Sequence, residues 1–168
     1  MLSAALRIAH ALNVYLKLDS EILLDRHAVR VLESSRRERT EAQPLQGNLI
    51  ILGGAENALS RELLTTTRAS SLQSEFGLSE DGTWAFRGEP LDKGEDDLGI
   101  LFTHPHPANP TGTAVFLSGT SPPSDTGSQG FERVLRLFVP RTGIAVPDWI
   151  IVKEDVDQFG IGGVIGAG

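Results

Sequence analysis

The chain alternates between short apolar runs and amphipathic segments, a pattern typical of α/β folds. Leu49–Leu52 is a run of four apolar residues and predicts a short strand that is buried on both faces. Gly53 and Gly54 follow it, and glycines permit a sharp turn where a side chain would clash. Apolar residues then recur with helical spacing as far as Leu63. A strand, a glycine turn and a helix form the unit of a parallel α/β sheet, and we expect this unit to organise the fold.

The same patterns predict elements on either side of this unit. Helices are predicted at residues 3–17, 26–34 and 129–138, and strands at 18–24, 98–103, 113–118 and 148–152. A loop without a helix joins the strands at 98–103 and 113–118, so we expect these two strands to pair antiparallel. Asp81 and Gly82 lie between two strand-like arms and predict a small β-hairpin insertion at about residues 76–90.

Together these elements predict one α/β domain over residues 1–168. Its sheet is expected to be mixed and mostly parallel, Rossmann-like or flavodoxin-like, with about five strands and with helices on both faces. No strand precedes the first helix, and the glycine-rich segment 160–168 lacks a closing element. We therefore expect the domain to be truncated at both ends.

Composition excludes several classes of partner and site. The net charge of -7 argues against nucleic acid, whose phosphates require a basic face. No apolar run reaches the roughly 18 residues that a membrane span requires, so we predict no membrane partner. The chain contains no cysteine, which excludes disulfides, thiolate zinc sites and cysteine nucleophiles.

Polar residues and glycines follow two of the predicted strands, where open α/β sheets bind ligands. The candidate ligand-binding residues are Gly53, Gly54 and Asn57 after the strand at 49–52, and His104, His106 and Asn109 after the strand at 98–103. No Asp or Glu lies beside the histidines in sequence, so we predict no metal site. Each group also has a structural interpretation: a tight strand-to-helix turn for the first, and packing in a proline-stiffened loop for the second.

Motifs for cofactors and for catalysis are missing from the sequence. Neither Gly-x-Gly-x-x-Gly nor the phosphate loop is present. Residues 109–112, Asn-Pro-Thr-Gly, resemble a loop of pyridoxal-phosphate aminotransferases, but no lysine lies in a Schiff-base context. A nucleophile elbow, Gly-x-Ser-x-Gly, is also missing, because Phe116 occupies the position two residues before Ser118. We therefore predict no cofactor and no catalytic residue.

Three blocks, at residues 7–19, 48–60 and 130–149, resemble the C-terminal region of large secreted fungal proteins related to the prolyl oligopeptidase family. In those proteins an α/β-hydrolase domain lies upstream. The resemblance implies an extracellular parent protein, and this chain has no counterparts of the family's Ser, Asp and His. We therefore expect a non-catalytic accessory module that packs on an upstream hydrolase domain or gates its substrate. The alternative is a domain that binds a small ligand or a metal at its strand ends.

Overall fold

The computed structural model describes residues 1–37, 45, 47–65, 75–91, 97–121, 128–138 and 147–168. Its helices are α1 (Leu2–Ala11, continued by a π-helical turn at Leu12–Leu16), α2 (Asp25–Arg37), α3 (Ala58–Leu64), α4 (Gln129–Leu137) and α5 (Val156–Phe159). Its strands are β1 (Leu49–Leu52), β2 (Phe76–Leu78), β3 (Trp84–Phe86), β4 (Glu89–Pro90), β5 (Gly99–Pro105), β6 (Thr113–Gly119), β7 (Trp149–Val152) and β8 (Val164–Ala167). Within the described ranges, no helix is long and apolar enough to cross a membrane.

The main sheet has five strands in the order β1-β6-β5-β7-β8. Only β1 and β6 pair parallel, whereas β6 with β5, β5 with β7 and β7 with β8 are antiparallel. The predicted mixed five-stranded sheet is confirmed, and so is the antiparallel pairing of β5 with β6. The prediction of a mostly parallel, Rossmann-like sheet is wrong, because β7 also runs antiparallel to β5 and β8 runs antiparallel to β7, which leaves one parallel pair among the four.

Two segments differ from the sequence prediction. Residues 18–24, predicted as a strand, are irregular, and Leu18, Ile22 and Leu24 are exposed. At the other end, β8 pairs with β7, although no closing element was predicted there. A side chain at Gly166 would place its Cβ 3.0 Å from the ring of Trp149, so the close packing of this edge strand requires a small residue.

The central strands are buried on both faces. Ile100, Phe102 and Phe116 face one side and pack with α2, α3 and the small sheet. Leu101 and Leu117 face the other side and pack with α1 and α4. Because side chains alternate along a strand, a strand between two layers is apolar at nearly every position. The predicted helices on both faces are therefore confirmed.

The predicted hairpin is present and has a third strand, since β2, β3 and β4 form a small antiparallel sheet. Aromatic rings attach it to the main sheet. Phe76 stacks on Phe102 with ring centroids 4.4 Å apart, and Phe102 stacks on Phe116 at 4.8 Å. Trp84 meets Phe102 edge-on at 6.0 Å. These contacts extend one core from the main sheet into the insertion.

Helix α4 begins very close to the central strands. The Asp97 carboxylate accepts hydrogen bonds from the Ser128 hydroxyl at 2.8 Å and from the Gly130 amide at 2.9 Å. A Cβ at Gly130 would lie 2.3 Å from the carbonyl oxygen of Leu98, and a Cβ at Gly119 would lie 1.8 Å from Ser128 Oγ. Glycine at both positions is therefore required for the helix to approach the strands.

We predict that Gly130→Ala destabilises the protein even though alanine is the better helix former. Helix propensity favours alanine by about 1 kcal/mol, but the new Cβ would meet a backbone oxygen that cannot move away alone. We expect a net loss of about 1–3 kcal/mol of unfolding free energy, measured by urea denaturation.

Gly47→Ala is the matched control, because a Cβ there meets nothing within 4 Å and should leave stability nearly unchanged. Equal or greater stability of the Gly130→Ala variant would contradict the close approach.

Candidate functional site

The six candidate residues lie in two groups at opposite ends of the sheet. Gly53 continues β1 and donates from its amide to the Leu117 carbonyl, near the end of β6. His104 pairs with Ala114, near the start of β6, because β5 runs in the opposite direction. The register places Ala114 beside Leu49 and Leu117 beside Leu52, three residues away. Three strand residues span roughly 10 Å, so the two groups form separate sites.

The first group forms a tight strand-to-helix turn. Gly53 has φ of 101°, which is favourable only for glycine among ordinary residues. A Cβ at Gly54 would lie 2.8 Å from Ser118 Oγ and 2.9 Å from Trp84 Nε1. The first glycine is therefore required by the backbone conformation and the second by the close approach of two buried side chains.

Side chains of this protein already occupy the amide donors at the start of α3. Asn57 Oδ1 accepts from the amides of Leu59 at 2.8 Å and Ser60 at 3.1 Å, and Asn57 Nδ2 donates to the Leu52 carbonyl. The Asp25 carboxylate accepts from the Ala58 amide at 2.8 Å. These are the groups with which a helix start would hold a phosphate.

Two carboxylates of the chain further disfavour the binding of an anion at the start of α3. Glu56 Oε1 accepts from the Gly54 amide at 3.1 Å, within the turn itself. The hydrogen bond from the Ala58 amide holds the pKa of Asp25 below its ordinary value, so this group is ionised at neutral pH. Carboxylates of the chain itself thus pair with the amides of Gly54 and Ala58, which leaves these donors unavailable to an external anion.

We predict that Asn57→Ala lowers the unfolding free energy by about 1–2 kcal/mol, the usual effect of losing a helix cap. The physical reason is that two amides and the Leu52 carbonyl lose the same side-chain partner. Thermal and urea denaturation would measure the loss. Asn13→Ala, which removes only an exposed contact to Asp19, should have little effect, and equal effects of the two variants would contradict the capping role.

In the second group, His104 is buried at the end of β5, with 2% of its surface exposed. Its Nδ1 lies 2.6 Å from the Pro105 carbonyl oxygen, so Nδ1 carries the proton and donates. The ring packs edge-on against Phe116 at 5.7 Å. Its Nε2 is therefore a buried lone pair without a hydrogen-bond partner in the described part of the chain.

His106 has the opposite tautomer. It is 7% exposed, and its Nδ1 accepts from the amides of Ala108 at 3.1 Å and Asn109 at 2.8 Å. An Nδ1 that accepts two bonds carries no proton, so the neutral ring is protonated at Nε2. Among the described residues, this Nε2 also has no hydrogen-bond partner of normal geometry.

Asn109 shapes the loop between β5 and β6. Its Oδ1 accepts from the Thr111 amide at 3.0 Å and from the Thr111 hydroxyl at 2.8 Å, and the Gly112 amide donates to its carbonyl at 3.0 Å. These bonds form a local turn, so the Asn-Pro-Thr-Gly segment has a structural explanation. Asn48 also belongs to this region, because its Oδ1 accepts from the Thr113 amide and links the starts of β1 and β6.

Burial determines the titration of both histidines. It lowers the pKa of His104 below 6.5, against a smaller opposing effect of the bond to the Pro105 carbonyl. It also lowers the pKa of His106, and the Gly47 backbone beside the ring opposes part of that shift. Both rings are therefore neutral at pH 7, one with a buried acceptor and the other with a buried donor.

This arrangement suits a neutral polar group better than a metal ion. A metal could bind the lone pair of His104, whose Nδ1 donates to a carbonyl as in many metal sites. His106 would first have to move its proton to Nδ1, against the two amides that point there. In the described ranges, no three His, Asp or Glu side chains are placed to hold a metal together.

A polar cluster at the start of α4 was not found by sequence reasoning. Arg133 is 4% exposed and donates to the Asp157 carboxylate, the Asp97 carbonyl and the Gln129 amide oxygen. The bond from Arg133 holds the pKa of Asp157 below its ordinary value. The sequence contains one indication of this cluster. Ser128 lies just before a predicted helix, and serine is a favoured helix cap. Because its charges and donors are matched within the chain, this cluster has a structural role.

No family model matches the chain, and no curated protein or solved structure shows significant similarity to it. Known proteins therefore assign no function to either strand-end group. The resemblance to prolyl oligopeptidase-related proteins stays a prediction.

Proposed function

We propose that this chain is a non-catalytic accessory module that packs on an α/β-hydrolase domain of a secreted, prolyl oligopeptidase-related parent protein. The observation that carries the proposal is the concentration of exposed large apolar side chains in residues 1–24, which we name the N-terminal apolar surface. It includes ten of the fourteen large apolar side chains that are exposed in the described part of the chain. Large exposed apolar areas on soluble proteins mark interaction sites.

Helix α1 carries apolar side chains on two sides, one buried and one exposed. Ala4 and Ile8 are buried against the sheet, whereas Leu2 and Leu6 are 66% and 54% exposed. Both pairs are four residues apart, and each pair therefore forms a stripe along one side of the helix. An exposed apolar stripe on a second side of a helix can be buried against a partner.

The apolar surface continues beyond α1. Tyr15, Leu18 and Leu24 are 65%, 52% and 77% exposed, and residues 17–24 make no strand that would cover them. Tyrosine and large aliphatic residues at the centre of an interface are the usual anchors of binding. A protein domain with an apolar groove is therefore the partner that this surface fits.

The serines of the described chain lack the neighbours that hydrolysis requires. The hydroxyls of the buried Ser60 and Ser118 donate to the carbonyls of Gly53 and Gly119, and Ser128 donates to Asp97. No described serine hydroxyl bonds to an imidazole, so none has the general base of a serine hydrolase. This geometry supports a module without its own chemistry.

We expect the purified chain to bind the α/β-hydrolase domain of a prolyl oligopeptidase-related protein and to hydrolyse neither peptide nor ester substrates. Sedimentation velocity measures the complex. Leu6→Gln and Leu24→Gln should each weaken binding by about tenfold, because burying a leucine contributes roughly 1.5–3 kcal/mol.

Ile161→Gln is the matched control, since Ile161 is 90% exposed at the other end of the described chain and should not change the affinity. Three results would contradict the proposal: no complex, equal effects of the Leu6 and Ile161 variants, or hydrolysis that a single substitution in this chain abolishes.

A second candidate function is the binding of a small neutral ligand beside His104 and His106. The two Nε2 atoms favour it, because neither has a hydrogen-bond partner of normal geometry among the described residues, and one accepts while the other donates. A hydroxyl or an amide offers both complementary groups, whereas phosphate finds no cationic partner in the described surroundings of the rings.

Calorimetry would test this second candidate with glucose, phosphate, zinc and nickel. We expect heat with the sugar alone, and His104→Phe should abolish it because the acceptor is lost. His10→Phe, at an exposed position, is the control. Heat with zinc or phosphate alone, or with none of the four compounds, would remove this candidate.

A further inference from the structure

We propose that His104 and His106 form a pH-sensitive switch. At neutral pH it holds the loop at 106–112 closed, and on mild acidification the loop opens. The inference goes beyond the proposed docking function and does not rest on it. It rests on three features: two buried rings with opposite tautomers, a loop built on one of them, and the lack of charged groups around both in the part of the chain that the structure describes.

The hairpin that carries the histidines is uncharged. Residues 98–120 contain no Asp, Glu, Lys or Arg, and neither do residues 45–55, which include the neighbouring strand β1. Among the described residues, an imidazolium formed at either ring would therefore lack a nearby carboxylate to stabilise it. Burying an unpaired charge costs several kcal/mol, so the folded hairpin favours neutral rings.

Charged groups on the elements that pack on the same face have other partners or face solvent. Asp25 of α2 accepts from the Ala58 amide, Arg61 of α3 donates to the Ala55 carbonyl, and Arg87 pairs with Glu75. Of the remaining charged side chains whose exposure the structure describes, Arg26, Arg30, Glu33, Glu56, Glu80, Asp81, Glu89 and Asp148 are exposed, and Glu62 is half-buried. In the part of the chain that the structure describes, none of these groups bonds to either imidazole.

Protonation of His106 acts directly on the loop. The amides of Ala108 and Asn109 both point at Nδ1, the atom that would receive the proton. An added N–H at this position would face two N–H donors, so both hydrogen bonds would be lost. The backbone at 108–109 would then have to leave the ring.

Protonation of His104 acts on the underlying strand. Its Nε2 would gain a proton where no acceptor is present in the described surroundings, beside Phe116 and Ala114. Solvation of that charge requires the end of β5 to separate from β6. The two rings therefore favour the same movement, an opening of the hairpin at its loop.

The direction of the pH effect follows from linkage. Both folded-state pKa values lie below the ordinary 6.5, so the open or unfolded chain takes up protons that the closed form does not. The stabilisation is complete above 6.5 and is lost as the pH falls towards the folded-state values. Each ring changes the closed-to-open ratio by up to about tenfold per pH unit in this window. Asp25 and Asp157, whose pKa values lie below 3.8, titrate at lower pH.

Amide hydrogen exchange, expressed as protection factors, tests the proposal on the full chain. Between about pH 7.5 and 5.5, we expect the protection of Ala108 and Asn109 to fall by about tenfold or more, while amides in α4 change less. In His106→Asn, the asparagine Oδ1 takes the place of Nδ1 as acceptor, as Asn57 does in α3. This variant should keep the bonds from Ala108 and Asn109 at both pH values and should retain only the part of the pH effect that His104 contributes.

His104→Asn should lose part of the pH effect, because its amide can still donate to the Pro105 carbonyl but does not titrate. His10→Asn and His27→Asn, at exposed positions, should retain the full effect. Loop protection that does not depend on pH, or a full pH effect in the double His104→Asn/His106→Asn variant, would overturn the proposal.

A second measurement needs no substitution and covers the case of variants that do not fold. Imidazole ¹⁵N shifts of the unsubstituted protein at about pH 7.5 should show His104 protonated at Nδ1 and His106 protonated at Nε2. Charged rings at that pH, or the reverse tautomers, would likewise overturn the proposal.

Discussion

The antiparallel pairing of β5 with β6 is the constraint on which the rest of the structure depends. The two strands share seven residue pairs, from Gly99 with Gly119 to Pro105 with Thr113. β1 pairs with the outer side of β6, and β7 pairs with the outer side of β5. Both faces of the pair are covered, one by α1 and α4 and the other by α2, α3 and the small sheet. Loss of this pairing would remove the surface on which every other layer packs.

Sequence patterns identify most elements, but they indicate the relative direction of one strand pair only, β5 with β6, which a short loop joins. The strands near residues 50, 100, 115 and 150 were predictable, because a strand between two layers is apolar at almost every position. An apolar run carries no information about whether its neighbour is parallel, so the mostly parallel prediction failed. β8 was missed because Gly166 resembles a loop residue, although it lies beneath the Trp149 ring. Residues 18–24 were predicted as a strand from apolar content alone, which also describes an exposed apolar surface.

For the candidate site too, sequence patterns identify residues but not their arrangement in space. The residue types and their places after strands could be predicted, and both histidines do lie at the end of a strand. Their separation from Gly53, Gly54 and Asn57 could not, because it also depends on the parallel pairing of β1 with β6, which no local pattern indicates. The bond from the Ala58 amide to Asp25 joins residues 33 positions apart, and no local pattern indicates it. That bond, with those of Asn57, makes the glycine turn a structural element.

The lack of charge in residues 98–120 also has a consequence for the chain before it folds. Segments with high β-propensity and no charge are the ones that assemble into intermolecular sheets when they are exposed. Natural sequences usually interrupt such segments with charged gatekeeper residues, and here prolines occur only at the loop end of the hairpin. Self-association during refolding is therefore limited mainly by how quickly the two helical layers cover the strands. Yield on refolding should depend on protein concentration more steeply than the acidic net charge alone suggests.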